Sequence, residues 1–344
     1  MPATVSAKSP EPGQLVLQLS LGYMASSALR VVTQLEIPDL LADGPKSVAA
    51  LARNAQANED ALYRVLRALA SVGVFEETEP RVFALTPAAE TLRRGTPDSL
   101  RDMVLWIADP IHYRCFPEML HAVKTGEPVI EKVTGSACFA YFEKDKVTGE
   151  VFNAAMTGFS AMMIPAVLEA YDFSPLNGGK LVDVAGGHGH VLTEILKKYP
   201  KINGMLFDLA HVAEGAKEPI RSAGLEGRCG VASGDFFVSV PPGNAYIMKH
   251  IIHDWDDERA LKILRSIHAA AIGKAKVILL ESVLEPGNEP HLAKWIDIEM
   301  LMLPGGRERT EEEFAKLCEK AGFCLTRVVR TKSPVCVIEA EKVS

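Results

Sequence analysis

Residues 248–257 read Met-Lys-His-Ile-Ile-His-Asp-Trp-Asp-Asp, at the end of an apolar run that reads as a strand. A histidine just past the carboxyl end of a strand faces a ligand crevice, and an unperturbed pKa of ~6.5 makes it a usable proton acceptor near neutrality. His253 is the candidate base. Glu281 closes the next apolar run, and Glu308 lies in the loop Pro304-Gly305-Gly306-Arg307-Glu308-Arg309. Carboxylates flanking an imidazole fix its tautomer and stabilise the imidazolium formed when it takes a proton.

A second segment can hold a ligand. Leu181-Val182-Asp183-Val184 runs into the turn Ala185-Gly186-Gly187-His188-Gly189, where glycine lets a ligand approach the backbone closely. A dinucleotide fold would seat a pyrophosphate here, but Asp183 repels that anion and the third glycine of G-x-G-x-x-G is missing. The acid points to a cationic ligand, and S-adenosylmethionine (SAM), with a sulfonium, an ammonium and no phosphate, meets that requirement. Asp208 ends the following apolar run, where a carboxylate can accept both ribose hydroxyls. In Gly234-Asp235-Phe236-Phe237, Asp235 can accept from an adenine amino group while Phe236 covers the ring. The alternative is that Asp208 and Asp235 only cap helices; three acids at successive strand ends favour the SAM site.

These residues need a scaffold that brings strand ends together. Beyond Asn177-Gly178-Gly179, short apolar runs alternate with helical patterns: strands at 180–184, 202–207, 227–232, 245–249 and 276–281, with helices at 190–199, ending near Ala223, and at 257–271. That alternation is the signature of an α/β, doubly wound parallel sheet. The runs 324–330 and 335–339 are too close for a crossover helix and predict an antiparallel hairpin at the sheet edge.

The first half reads differently. Apolar residues at Leu17, Leu21, Met24, Ala28, Val31 and Leu35 mark one helix face, ended by Pro38. Helices fit 48–55 and 59–72, the latter capped by Asn58, and residues 74–75 and 82–84 read as short strands around a polar turn. This winged-helix-like order raises DNA binding, but residues 1–100 carry nine Lys/Arg against eleven Asp/Glu, whereas groove readers need a basic stripe. Dimerisation or packing is the expected use. Residues 98–172 read as helical and end in a wide apolar stripe, which Pro165 should kink.

The resulting division is a disordered leader at 1–13, a winged-helix-like dimerisation domain at 14–110, a helical linker and acceptor-pocket region at 111–176, and a SAM-binding domain at 177–344. The 344 residues are 48% hydrophobic and 24% charged with a net charge of −7, a globular composition without general attraction to nucleic acid or anionic lipid. No membrane span and no secretory signal are expected, which suggests the cytoplasm. The six scattered cysteines, with no C-x-x-C, read as reduced and mostly buried thiols.

Taken together, 181–189, Phe207-Asp208-Leu209, 234–237, 249–255 and Pro304-Gly305-Gly306-Arg307-Glu308-Arg309-Thr310 resemble the SAM-dependent small-molecule O-methyltransferases. This family includes plant caffeic acid and flavonoid enzymes, animal acetylserotonin O-methyltransferase and bacterial enzymes that tailor aromatic polyketides. The resemblance covers nearly the whole chain, including Val151-Phe152-Asn153-Ala154-Ala155-Met156. It implies a Rossmann-like catalytic domain, a homodimer and a metal-independent methyl transfer to a hydroxyl of a small aromatic molecule bound between the two parts. It also implies His253 as base, Glu281 and Glu308 as its orienting pair, and Ala185, Asp208, Asp235, Phe236 and Lys249 as SAM contacts, beside Asp183, Gly186 and Gly187 of the turn. Phe152, Met156 and Met300 match acceptor-pocket positions. Phe159 stands where plant lignin-type enzymes have a histidine, and Ala185 where the turn normally has a further glycine.

Three rival readings exist. A metal could use His188, His190, His250 and His253, although no cysteine is nearby; His250 by itself reads as structural. Bacterial relatives with this fold hydroxylate or decarboxylate aromatic substrates instead, but His253, Glu281 and Glu308 favour methylation. A ligand-sensing DNA-binding regulator is the third.

Overall fold

The computed structural model describes residues 11–96 and 98–343, and the chain divides into two compact units, Met1–His112 and Tyr113–Ser344. Residues 1–10 of the expected leader lie outside the described residues, and its last two residues already belong to a helix, Pro12–Ser20, with proline in the first turn. Proline suits that position because its missing N–H would have no helical partner there.

In the first unit the predicted helix over 17–35 is broken. Pro12–Ser20 and Gly22–Gln34 meet at Leu21 with a bend of 46°; Gly22 directly after the break weakens helix propagation. Pro38 does not end this helix but opens a short one of its own, Ile37–Leu40. Helices Val48–Asn54 and Glu59–Ala70 follow, the second with Asn58 accepting from the Ala61 amide at 3.0 Å, as expected of an N-cap. The wing is a three-stranded sheet in which β1 (Lys46–Ser47) and β2 (Phe75–Glu79) flank β3 (Val82–Leu85). Residues 76–79, predicted as turn, are strand because β3 supplies antiparallel partners to this acidic stretch. Val32, Leu51, Leu66, Phe75 and Phe83 form the core of the unit, while Val16, Leu17 and Leu19 stand largely exposed.

The second unit is built on seven strands: β4 (Lys180–Val184), β5 (Asn203–Asp208), β6 (Cys229–Ser233), β7 (Gly243–Lys249), β8 (Ala271–Glu281), β9 (Phe323–Arg330) and β10 (Cys336–Lys342). Their order is β6-β5-β4-β7-β8-β10-β9. The first five are mutually parallel, and β10 pairs antiparallel with both β8 and β9, giving the expected edge hairpin. The chain winds outward from β4 through β5 to β6, then returns to place β7 on the other side of β4. That reversal opens a crevice at the carboxyl ends of β4 and β7. One face of the sheet buries Val184, Tyr246 and Met248 against Ile263 and Leu264; the other buries Leu181, Ile247 and Leu280 against Leu192 and Ile195.

A long helix, Lys146–Ala170, precedes β4 and continues through Pro165. Contrary to the reading that no stretch approaches a membrane span, this helix is long and apolar enough to cross one. Its Met163, Ile164 and Val167 are buried in the same core cluster as Leu181 and Leu192. Among the cysteines only Cys324 is exposed, and all six are free thiols.

Candidate active site

The turn after β4 is wound tightly by left-handed residues: Ala185, Gly187 and Gly189 have φ of 56°, 59° and 77°. Alanine at the first of these positions therefore carries strain, since an L side chain in this region costs roughly 1 kcal/mol or more. Gly186 is required for space, because a Cβ there would lie 2.6 Å from the Asp183 carboxyl carbon. Gly187 donates its N–H to Asp208 Oδ2 at 2.8 Å, and Leu209 donates to Oδ1 at 2.7 Å. Asp208 thus holds the turn itself, and each of its oxygens keeps a second lone pair for a ligand.

Asp183 is buried, and its Oδ2 has no hydrogen-bond partner among the described residues. Burial raises its pKa to about 7, with the Asp208 charge adding to the rise and Lys249 opposing it. Burial likewise lowers Lys249, at the end of β7, to about 8, against the pull of Asp183, Glu281 and Asp254. An orphaned buried carboxylate in a close-approach turn is a site for a cation, so the residues present fit SAM. Asp235 is exposed and accepts from the Phe237 amide at 2.8 Å, closing its own turn. Phe236 is half-buried, with its ring 4.8 Å from Phe237 and 6.1 Å from Trp255.

The second half of the site lies on the short helical turn Ile252–Asp254 after β7. His253 is buried with Nδ1 2.7 Å from Glu308 Oε1. Glu281, expected to be an equal partner, stands 4.0 Å from that nitrogen and 3.8 Å from His250 Nδ1. Its other oxygen accepts the Ile251 and Ile252 amides at 3.1 and 2.9 Å, so it fixes the backbone that carries His253. Burial disfavours charge on His253, but Glu281, Asp254 and Glu308 outweigh it and raise the pKa to about 10. Burial raises Asp254, 3.5 Å from His253 Nε2, to about 7.

A second layer, not evident from the sequence, locks this arrangement. Buried Arg309 donates to the carbonyls of Ile252 and Trp255 and pairs with Asp257 at 2.8 Å. Arg307 N–H donates to the His253 carbonyl at 2.8 Å, and Glu308 N–H donates to Asp297 at 2.8 Å. Gly306 has to be glycine: an added Cβ would lie 2.0 Å from the His253 carbonyl oxygen. The Gly305-Gly306 pair was the available signal, but which backbone it approaches depends on the fold.

Phe152, Met156 and Phe159 lie at i, i+4 and i+7 on the long helix, hence near one face. Phe159 packs 5.4 Å from His250, and Phe152 connects through Phe139 to Trp255 at ring separations of 6.4 and 5.8 Å. Met300 is buried, and its carbonyl accepts the Gly305 amide at 2.9 Å, which ties it to the Glu308 loop. The suggested metal set changes: His250, His253 and Glu281 each offer a ligand atom within 4.8 Å of the others. His188 and His190 are not in that group, and His188 packs where a Cβ on Gly215 would lie 3.2 Å from its Nε2.

Comparison with known proteins gives this geometry a context. Residues 116–324 match the O-methyltransferase domain family, and residues 17–95 match the O-methyltransferase dimerisation domain. The chain is 42% identical over 330 residues to the phenazine O-methyltransferase PhzM of Lysobacter antibioticus, covering 96% of each chain. It is 32% identical over 345 residues to the mitomycin biosynthesis 6-O-methyltransferase of Streptomyces lavendulae, covering 99% of this chain and 97% of that one. The solved structure of CalO1, a methyltransferase of calicheamicin biosynthesis in its SAH-bound form, superposes with a TM-score of 0.84 at 31% identity, covering 98% and 100% of the two chains. The SAM-fitting crevice and these matches along nearly the full length lead to one conclusion: this chain belongs to the SAM-dependent O-methyltransferases.

Proposed function

We propose that the enzyme methylates a phenolic hydroxyl on a fused or substituted aromatic molecule, with His253 as general base and without a metal. The observation that carries this reading is the buried 2.7 Å contact between His253 Nδ1 and Glu308. It supports the tautomer in which Nδ1–H donates to the carboxylate, which would leave Nε2 to take the proton of the acceptor hydroxyl. Glu308 stabilises the imidazolium that results, and Glu281 holds the loop. The named activities of the relatives, on phenazine and mitomycin compounds, support an aromatic acceptor of this size.

SAM, when bound, supplies a methyl group on a sulfonium that needs no further activation. Asp208 would accept the ribose hydroxyls, Asp235 the adenine amine, and Asp183 would face positive charge beside Ala185, Gly186 and Gly187. Phe236 would cover the adenine and Lys249 border the same crevice. Phe152, Met156, Phe159 and Met300 would clamp the acceptor ring. His253 must be neutral to act as a base. A cation in the crevice opposes the acids that raise its pKa, which ties base competence to a loaded cofactor site. Alignment of the hydroxyl and exclusion of water supply most of the acceleration.

The exposed apolar residues of Pro12–Ser20 and Gly22–Gln34 form the surface of a homodimer, consistent with the matched dimerisation domain. The acidic balance of the first unit argues against nucleic acid, and free thiols suit the cytoplasm. The test is a mass-spectrometric screen of phenols, flavonoids and polycyclic quinones with SAM, with and without EDTA. A gain of one methyl group on a hydroxyl, unchanged by EDTA, is expected. Turnover abolished by EDTA and restored by a divalent ion would return His250, His253 and Glu281 to a metal role.

A further inference from the structure

His250 is a buried polar group for which the catalytic scheme has no use. Its side chain is 9% exposed, and Nε2 is buried without a hydrogen-bond partner among the described residues. Native interiors leave few such atoms, because an unsatisfied buried polar group costs about 1–3 kcal/mol. The backbone is strained as well: His250 has φ of 51°, a left-handed conformation held by its N–H donating to the Leu280 carbonyl at 3.0 Å. Strain of this kind at a non-glycine residue concentrates at functional sites.

The surroundings define what Nε2 can bind. Glu281 Oε2 lies 3.8 Å from His250 Nδ1 and 4.0 Å from His253 Nδ1, so both imidazoles turn the same edge toward one carboxylate oxygen. Their Nε2 edges therefore face away from Glu281, with the rings 4.8 Å apart. Burial, with the charges of His253 and Lys249, pushes the pKa of His250 well below its ordinary value. The carboxylate at 3.8 Å lies on the Nδ1 side, which favours the tautomer protonated there, and that tautomer presents a lone pair at Nε2. Phe159, on the aromatic face of the long helix, packs against the same ring at 5.4 Å.

We infer that His250 Nε2 accepts a hydrogen bond from a hydroxyl or amino group of the acceptor, adjacent to the oxygen that is methylated, and so selects acceptors carrying such a donor. This rests on the His253 reading above. It makes His250 a specificity-determining residue beside the base, where the sequence suggested a structural one.

The experiment compares methylation of a naphthol and of the naphthalene diol with adjacent hydroxyls. His250→Asn is the variant of choice, because asparagine tolerates the left-handed backbone, retains a polar group near Nδ1 and removes Nε2. The ratio of kcat/KM for diol over naphthol is expected to fall about tenfold in His250→Asn, the scale of one hydrogen bond, and to recover in His250→Gln, whose amide reaches the Nε2 position. SAM affinity by calorimetry is expected to match wild type. Equal losses on both acceptors, or weakened SAM binding, would overturn the inference and assign Nε2 to structure or to the cofactor. A wild-type enzyme without preference for the diol would overturn it with no variant needed. Methylation of the naphthol by wild type, lost in His253→Ala, keeps the base assignment standing in any of these cases.

Discussion

The two halves of the crevice hold their polar groups in opposite ways. On the cofactor side, Asp183 and Asp208 sit at the ends of adjacent strands, and the turn between them is closed by a backbone N–H at 2.8 Å. On the base side, His253 depends on Glu308, 55 residues further along the chain, held by a loop that is fastened by Gly306, Arg307 and Arg309. A local strand-turn-helix unit positions its residues through its own hydrogen bonds, whereas a long-range contact must be supported by everything that packs the distant loop. The base side is therefore the more sensitive to change, and the following tests rank that difference.

The largest effect is expected at the base. His253→Ala should lower kcat by about 10² to 10⁴ with little change in SAM affinity, because in the proposed mechanism the imidazole serves the acceptor. The two carboxylates, equal in a sequence reading, should separate. Glu308→Gln should cost more than Glu281→Gln in kcat, while Glu281→Gln should weaken the loop and lower the melting temperature. Equal kinetic losses in steady-state assays would remove the asymmetry. The same cluster sets a pH dependence. His253 is raised to about 10, so its ion pairs stabilise the fold fully below the unfolded pKa of ~6.5, and that contribution is lost as pH rises through about 10. Melting curves across this range should show the decline, and His253→Ala should flatten it.

Next comes the support of the loop. Gly306→Ala places a Cβ 2.0 Å from a backbone oxygen, which no side-chain adjustment relieves. Activity should fall with the loss of the His253 geometry, and stability by about 2 kcal/mol or more, the range of strongly disruptive substitutions. A fully active, equally stable variant in parallel melts and assays would show that the loop is softer than its packing suggests.

The smallest effect belongs to the cofactor side. Asp208→Ala should weaken SAM by about 1 to 3 kcal/mol, the value of hydrogen bonds to a charged group, and it also removes the acceptor of the Gly187 and Leu209 amides that holds the turn. Asp183 titrates near 7 and must be ionised to attract a cation, so SAM affinity should rise with pH through about 7 and binding should release a proton below it. Calorimetry in buffers of different ionisation heat would detect that release, and its absence would remove Asp183 from the charge balance.

Much of this was legible beforehand, for a physical reason. The strand-turn-helix series from β4 to β8 follows from short-range patterns of apolar residues and glycine, and those patterns also carried Asp183, Asp208, Asp235, His253 and Glu281 to the ends of strands. The predicted strand 180–184 coincides with β4, and the hairpin at the sheet edge appears as β9 and β10. Where the local signal was ambiguous, the reading failed. The helix over 17–35 breaks at Leu21, residues 76–79 become strand once β3 pairs with them, and one helix is long and apolar enough to cross a membrane where no such stretch was expected.

Sequence by itself determined the family, the cofactor chemistry and the identity of the polar groups, because residue type and spacing along a strand or turn are local properties. Tertiary structure decided which partner each group has. That Glu308 rather than Glu281 touches His253, that His250 shares Glu281 and keeps an open nitrogen, and that Arg309 and Gly306 hold the loop are all contacts between distant segments. Such contacts are fixed by the packing of the β7, β8 and Glu308 segments against one another, and no periodicity in the chain encodes a distance of a few ångströms between residues this far apart.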